Sequence, residues 1–419
     1  MSRWRHRLME QGAAIALAAL LGACAMPSLT GVASPTPTPT PRPSPTPTLS
    51  PTHTTTAAPP SATPTPTATS EPTRVPPLAG SFDVYLSAPN ENGEQELLWI
   101  NVNARRIAAR ATIRTDNGYA IRAGPYVYFQ QASTHRPYRA NTAGFVEPLT
   151  FASPPADVGG YQLLPSANGD WLAWLSTDRT GTYYELHRST REGGDVRLIA
   201  RGDMEAGSTI TLVRLSNDGR MVFYALQPPG IADVTPFNAR YDLYGVDAET
   251  SAITHLPGEP ACGLDQLCDG HISPDGAYLA RTLPSIQAAA PVVVTNLITG
   301  QVIARYTPQG IPAGSVYEVG YPFFTPSGDL IYFEAIGAAG TEDYVLVLAN
   351  IVTGEQRIIA YLGKSRHRPL GWAGEGFVLL TTREPAAYDT WQIDLRDGKV
   401  RQISSLLFLG HIEQPPIAP

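Results

Sequence analysis

Cysteine and lysine are nearly absent from this chain. Only three Cys and two Lys, Lys364 and Lys399, occur in 419 residues, so a disulfide-rich scaffold is excluded. Charged residues make up just 16%, and 37 acids outnumber 30 bases for a formal charge of -7. No basic footprint for nucleic acid exists, and nucleic acid is excluded as a partner. No apolar run approaches the roughly 20 residues that a spanning helix needs. The eight His show no H-x-H or H-E-x-x-H spacing. A P-loop, a dinucleotide fingerprint, a full EF-hand and a G-x-S-x-G elbow are missing as well. No cofactor, no metal and no catalytic residue is therefore expected.

Three segments make up the chain. Residues 1–23 carry Arg3, Arg5 and Arg7 followed by an 11-residue apolar run, Gly12 to Gly22. That pattern predicts a signal peptide, not a membrane span. The run ends in Leu21-Gly22-Ala23-Cys24, which resembles the lipobox of bacterial lipoproteins, and the resemblance implies that Cys24 is lipidated and becomes the mature N-terminus. The mature chain would then carry 27 bases against 36 acids. Acyl chains buried in a bilayer hold by about 0.8 kcal/mol per CH₂, so the chain is expected to be extracytoplasmic and anchored to a bacterial membrane without crossing it.

Residues 24–79 read as a disordered stalk. Ala33 to Pro77 holds 15 Pro and 14 Thr, no aromatic residue and only Arg42, Glu71 and Arg74 as charges. Alternating Thr-Pro fixes φ and removes amide donors, which favours extended polyproline II. Fully stretched, the segment reaches roughly 140 Å. Its expected role is to lift the C-terminal domain off the lipid.

From residue 80 to 419 the chain repeats. Short β-branched and aromatic runs alternate with Gly, Pro, Asn and Asp, and helical periodicity never persists. Turns at Asp116-Asn117-Gly118, Ala167-Asn168-Gly169, Asn217-Asp218-Gly219, Pro274-Asp275-Gly276, Pro326-Ser327-Gly328 and Gly374-Glu375-Gly376 space their last glycines by 51, 50, 57, 52 and 48 residues. That period is near the one expected of propeller blades. Each turn precedes a strand apolar on both faces, such as Trp171 to Leu175, Met221 to Ala225 or Leu330 to Phe333. Such a strand must be covered on both sides, as it is between neighbouring blades.

The fold class is thus all-β, a β-propeller of four-stranded blades. Six blades are complete by this count. Ser81 to Thr115 supplies a second, third and fourth strand, and the C-terminal Leu406 to Ile412 supplies the missing first. This makes seven blades, with the ring closed by N- and C-terminal strands, and six is the alternative.

Ser273-Pro274-Asp275-Gly276, Ser176-Thr177-Asp178-Arg179-Thr180-Gly181 and Leu243-Tyr244-Gly245-Val246-Asp247 resemble the S-P-D-G, S-x-D-R-x-G and I-Y-x-x-D elements of TolB-like propeller repeats. The resemblance spans roughly Asp116 to Ser404. It implies a fold shared by envelope assembly proteins, surface lipoproteins and the gating domains of some peptidases, so it specifies no activity.

Few residues carry chemistry. Cys262 and Cys268, in an oxidising compartment, are expected to form a disulfide, with a metal site using Asp265, Asp269 or His271 as the rival reading. Ser176 to Tyr183 also approaches the Asp-box of sialidase-type propellers, which is itself a structural turn. One residue before the apolar Leu215, Ile272, Phe324 and Trp372 stand Arg214, His271, Phe323 and Gly371, which should face the channel. Arg214 and His271, in adjacent blades, are the candidate ligand-binding pair, and satisfying neighbouring carbonyls is their alternative role. The function expected is a monomeric, non-catalytic binding or scaffold module for an envelope protein or a glycan. A carbohydrate-active enzyme at the channel mouth and a TolB-like assembly factor are the alternatives.

Overall fold

Apolar runs bounded by glycine turns do become strands here, and the strands group in fours. The computed structural model describes residues 75–414 except 133, 228, 230–242, 257–268, 283–288, 310–315, 326, 339–340, 366, 373–375 and 383–388. The stalk up to residue 74, Cys24, Cys262 and Cys268 therefore lie outside the described residues. Within them are seven antiparallel four-stranded sheets and one short 3-10 turn, Thr150–Ala152. Each sheet is one blade of a propeller.

The inner strands, one per blade, are Leu407–Gln414 in blade 1, Thr115–Ala123 in blade 2, Val158–Pro165 in blade 3 and Thr209–Leu215 in blade 4. Asp269–Ile272, Val316–Phe324 and His367–Trp372 serve blades 5, 6 and 7. Blade 1 is built from both chain ends. Its order is Leu407–Gln414, Gly80–Leu86, Gln95–Asn101, Arg106–Ile113, with Phe82 opposite Ile412 and Val84 opposite Gly410. Seven blades with this closure remove the open edge that a strand would otherwise expose.

The repeated turn has a physical basis. In blade 3 the Ser166 hydroxyl donates to Asn168 Oδ1 at 2.7 Å and accepts from the Trp171 amide at 3.1 Å. Ser216 does the same with Asp218 at 2.6 Å and the Met221 amide at 2.8 Å, and Ser273 bonds Asp275 and the Tyr278 amide. The glycine next to the acceptor must turn through positive φ, 71° at Gly219, where a side chain costs energy. The S-x-[DN]-G signature is thus one hydroxyl bridging a tight turn.

One expected turn is misplaced. Asp116-Asn117-Gly118 lies inside the inner strand of blade 2, whose pairing jumps from Thr115 opposite Gln131 to Ala120 opposite Phe129. A bulge absorbs the turn-forming residues. The real turn is Gly124-Pro125, with Gly124 at φ 52°.

Between the sheets lie apolar layers. Leu175, Leu186, Leu212, Val222 and Val246 join blades 3 and 4, while Phe333, Leu346, Val378 and Ile393 join blades 6 and 7. Second strands such as Leu330–Ile336 are buried on both faces, as their uninterrupted apolar sequence requires. Each fully buried side chain of this size contributes about 1.5–3 kcal/mol. Leu215, Ile272 and Phe324 are buried in these layers.

Two seams also carry arginine clamps. Arg188, only 1% exposed, lies 4.3 Å from the Trp171 ring and pairs with Asp195 and, in the next blade, Glu249, each at 3.2 Å. Arg139 lies 4.6 Å from the Tyr126 ring and pairs with Glu147 at 2.6 Å and Glu192 of the next blade at 2.8 Å.

Candidate functional site

Inner strands run side by side around the axis, so their last residues converge on one mouth. A cavity of about 790 Å³ lies there, lined by residues of all seven inner strands and of the turns that leave them. In blades 2 to 6 the lining residues lie towards the ends of the inner strands and in the turns that leave them, such as Ser166, Pro274 and Thr325, whereas blade 1 contributes Leu407 to Gly410 from the start of its strand.

Registers explain which side chains reach it. Arg122, Arg214, His271 and Phe323 oppose Val127, Phe223, Ala280 and Ile331 of their second strands, each one rung before the turn. All four line the cavity, joined by Arg368 two rungs further from the turn of blade 7. Among the described residues three Arg and one His thus line the mouth, and no described lining residue is Asp or Glu. In a chain of net charge -7 this is a local reversal of sign.

Arg214 and His271 do meet. An Arg214 terminal nitrogen is 3.0 Å from His271 Nε2 and donates to the Ile272 carbonyl at 3.2 Å. A guanidinium has only donors, so Nε2 is the acceptor and the imidazole proton sits on Nδ1. The pair ties blade 4 to blade 5 at the wall, which includes the carbonyl-satisfying role as well as a place at the mouth.

Arg122 is different. It makes no hydrogen bond or ion pair among the described residues, and its Nε is buried without a partner. Burial holds its guanidinium below its usual pKa. Space for it comes from Gly410 of the closing strand: a Cβ there would sit 2.6 Å from Arg122 Nε, and the φ of 148° favours glycine. Sequence reading passes over Arg122 because Asp116-Asn117-Gly118 is taken for its blade's turn. Had Gly124 been aligned with the other turn glycines, Arg122 would have fallen beside Arg214. Arg368, exposed and likewise unpaired among the described residues, has no such signal.

An aromatic ladder runs along the wall from blade 5 to blade 7. The Phe323 ring lies 4.6 Å from the His271 ring and 5.7 Å from Trp372, whose Nε1 donates to the Phe324 carbonyl at 3.2 Å. Trp372 is only half-buried between blades, so it belongs to the mouth as well as the seam.

Other sequence candidates prove structural. Asp178 Oδ1 accepts from the amides of Thr182 at 2.8 Å and Tyr183 at 2.9 Å, and the Thr180 hydroxyl with these amides holds its carboxyl down to about 2. The Asp-box-like segment is a hairpin turn. Among the described residues no group of three His, Cys, Asp or Glu is placed to hold a metal, and no helix is long and apolar enough to cross a membrane.

No protein-family model matches the chain, and no curated protein sequence does either. Solved structures do. An oligogalacturonate lyase in complex with manganese superposes with a TM-score of 0.50 at 14% identity, over 78% of this chain and 86% of that one. An oligogalacturonate lyase from Vibrio parahaemolyticus gives a TM-score of 0.48 at 12% identity, over 77% and 86%. TolB from Acinetobacter baumannii gives 0.42 at 14% identity, over 80% and 82%. The likeness is one of fold. At such identities no site residue and no activity is carried across.

Proposed function

We propose that this chain is a lipid-anchored, extracytoplasmic propeller that binds a protein or glycan ligand at its channel mouth without transforming it. One observation carries the reading: a cavity of about 790 Å³, to which every blade contributes, is walled by arginines and aromatic rings. A glycosidase needs two carboxylates about 5–9 Å apart, and the described residues that line the cavity supply neither. The single imidazole there already directs Nε2 at Arg214. Such a wall is equipped to hold and orient a ligand. Cys24 and the Thr/Pro-rich stalk supply the anchor and the reach of the same reading.

The test is retention against turnover. Detergent-solubilised full-length protein, immobilised and exposed to an extract of its own envelope, is expected to retain a ligand. An Arg214→Ala, Trp372→Ala double variant is expected to release it. Recovery of the retained ligand unchanged after long incubation supports the reading; a cleaved or rearranged ligand contradicts it.

A further inference from the structure

The charge pattern of the mouth goes further than binding in general. Arg122, Arg214 and Arg368 belong to blades 2, 4 and 7 of seven, so they approach the axis from three sides. Guanidinium groups stay charged at every physiological pH, and three of them, with no carboxylate among the described lining residues, repel one another across a cavity. Arg122 adds a buried donor with no acceptor. A polar group left so costs stability unless a ligand completes it. Field lines in a low-dielectric funnel concentrate on the axis, where an anion would be met from three directions.

The rest of the wall restricts the body attached to that anion. Phe323 and Trp372 present neighbouring rings 5.7 Å apart. An aromatic face is the negative side of the ring quadrupole and packs against C–H bonds as well as against cations. A volume of about 790 Å³ admits a small molecule or a short oligomer, not a folded domain.

We propose that the mouth binds an acidic sugar. A carboxylate or phosphate group would sit on the axis between Arg122, Arg214 and Arg368, and the sugar ring's C–H face would lie on Phe323 and Trp372. The proposal rests on the reading of the mouth as the binding site and names the ligand class for it. Gly410 then has two roles: it belongs to the strand that closes the ring and leaves the space in which Arg122 stands.

Calorimetric titration of the full-length protein with glucuronate, glucose 6-phosphate and glucose tests this directly. At least one acid is expected to bind roughly tenfold or more tighter than glucose, with affinity falling as salt is raised. Arg122→Gln and Arg368→Gln should each weaken that acid by roughly tenfold while leaving glucose unchanged. Arg368 is exposed, so its variant serves even if Arg122→Gln folds poorly. Equal affinity for glucose and both acids, or acid binding untouched by both variants, overturns the proposal. So does an acidic peptide such as tetra-aspartate binding in an Arg122-dependent way while all three sugars fail. Envelope ligand retained by the Arg214→Ala, Trp372→Ala variant overturns instead the underlying assignment of the mouth.

Discussion

Arg188 and Arg122 are the same residue type in the same ring, yet their surroundings are opposites. Arg188 stands on a third strand, buried, with a tryptophan face beneath it, one carboxylate of its own blade beside it and a second, Glu249, bridging it to the next blade. Arg139 repeats that arrangement one blade earlier. Arg122 stands on an inner strand, beside a glycine; its Nε is unpartnered, as the Arg188 Nε is too, but unlike Arg188 its guanidinium makes no ion pair at all among the described residues. The first kind of arginine completes the fold's own electrostatics. The second leaves a charge that the fold does not neutralise, and a site is where such an imbalance is tolerated.

Breaking this contrast should have its largest effect at the clamps. Arg188→Ala empties the tryptophan face and removes the buried one of the two arginines that hold Asp195 and Glu249, Arg197 being the other, and is expected to cost about 2 kcal/mol, mostly as lost packing. Chemical denaturation measures it. Arg188→Met, which keeps the packing on Trp171, should cost visibly less.

Acid provides the next test. Burial pushes the His367 imidazole down to about 4 from its ordinary 6.5. The folded chain therefore binds this proton less readily than the unfolded one. Its contribution is fully present above pH 6.5 and is lost as pH falls towards 4, by at most about 3 kcal/mol. Melting temperatures between pH 7 and 4.5 should fall, and His367→Phe should flatten that part of the curve. Arginine charge is unaffected over this range.

Gly410→Ala touches both sides of the comparison. Its Cβ collides with Arg122 Nε, and the backbone leaves a conformation suited to glycine, at an expected cost of about 1 kcal/mol. Thermal unfolding should show that modest loss, and glucuronate titration a larger one in affinity. Arg122→Gln should have the smallest effect on stability, within about 0.5 kcal/mol of the parent, because it removes an unpaired charge and no partner. Arg122→Gln destabilised as much as Arg188→Ala would erase the distinction.

Much of this architecture is legible in the chain itself. The S-x-[DN]-G turns announce themselves because one hydroxyl, one acceptor and one positive-φ glycine must recur wherever the same tight turn recurs. The spare C-terminal strand and the incomplete first blade predict each other, and Leu407–Gln414 does pair with Gly80–Leu86. Arg214 and His271 are found from register alone, since alternation along an inner strand separates the channel side from the seam. Arg122 is hidden by a bulge: Asp116-Asn117-Gly118 has turn composition, and nothing local says that three-dimensional pairing absorbs it into a strand. The clamps are hidden for another reason. Arg139 and Arg188 find Glu192 and Glu249 across blade boundaries, 53 and 61 residues along the chain, a distance at which composition carries no signal.

The central claim is that the inner arginines serve a ligand and the outer ones the fold. Melting curves of the parent, Arg122→Gln and Arg188→Ala, each with and without glucuronate, separate the two roles in a single experiment. The account predicts that Arg188→Ala melts lower but is still raised by glucuronate, whereas Arg122→Gln melts with the parent and is raised clearly less than it. Arg122→Gln rising with glucuronate as far as the parent does would contradict it.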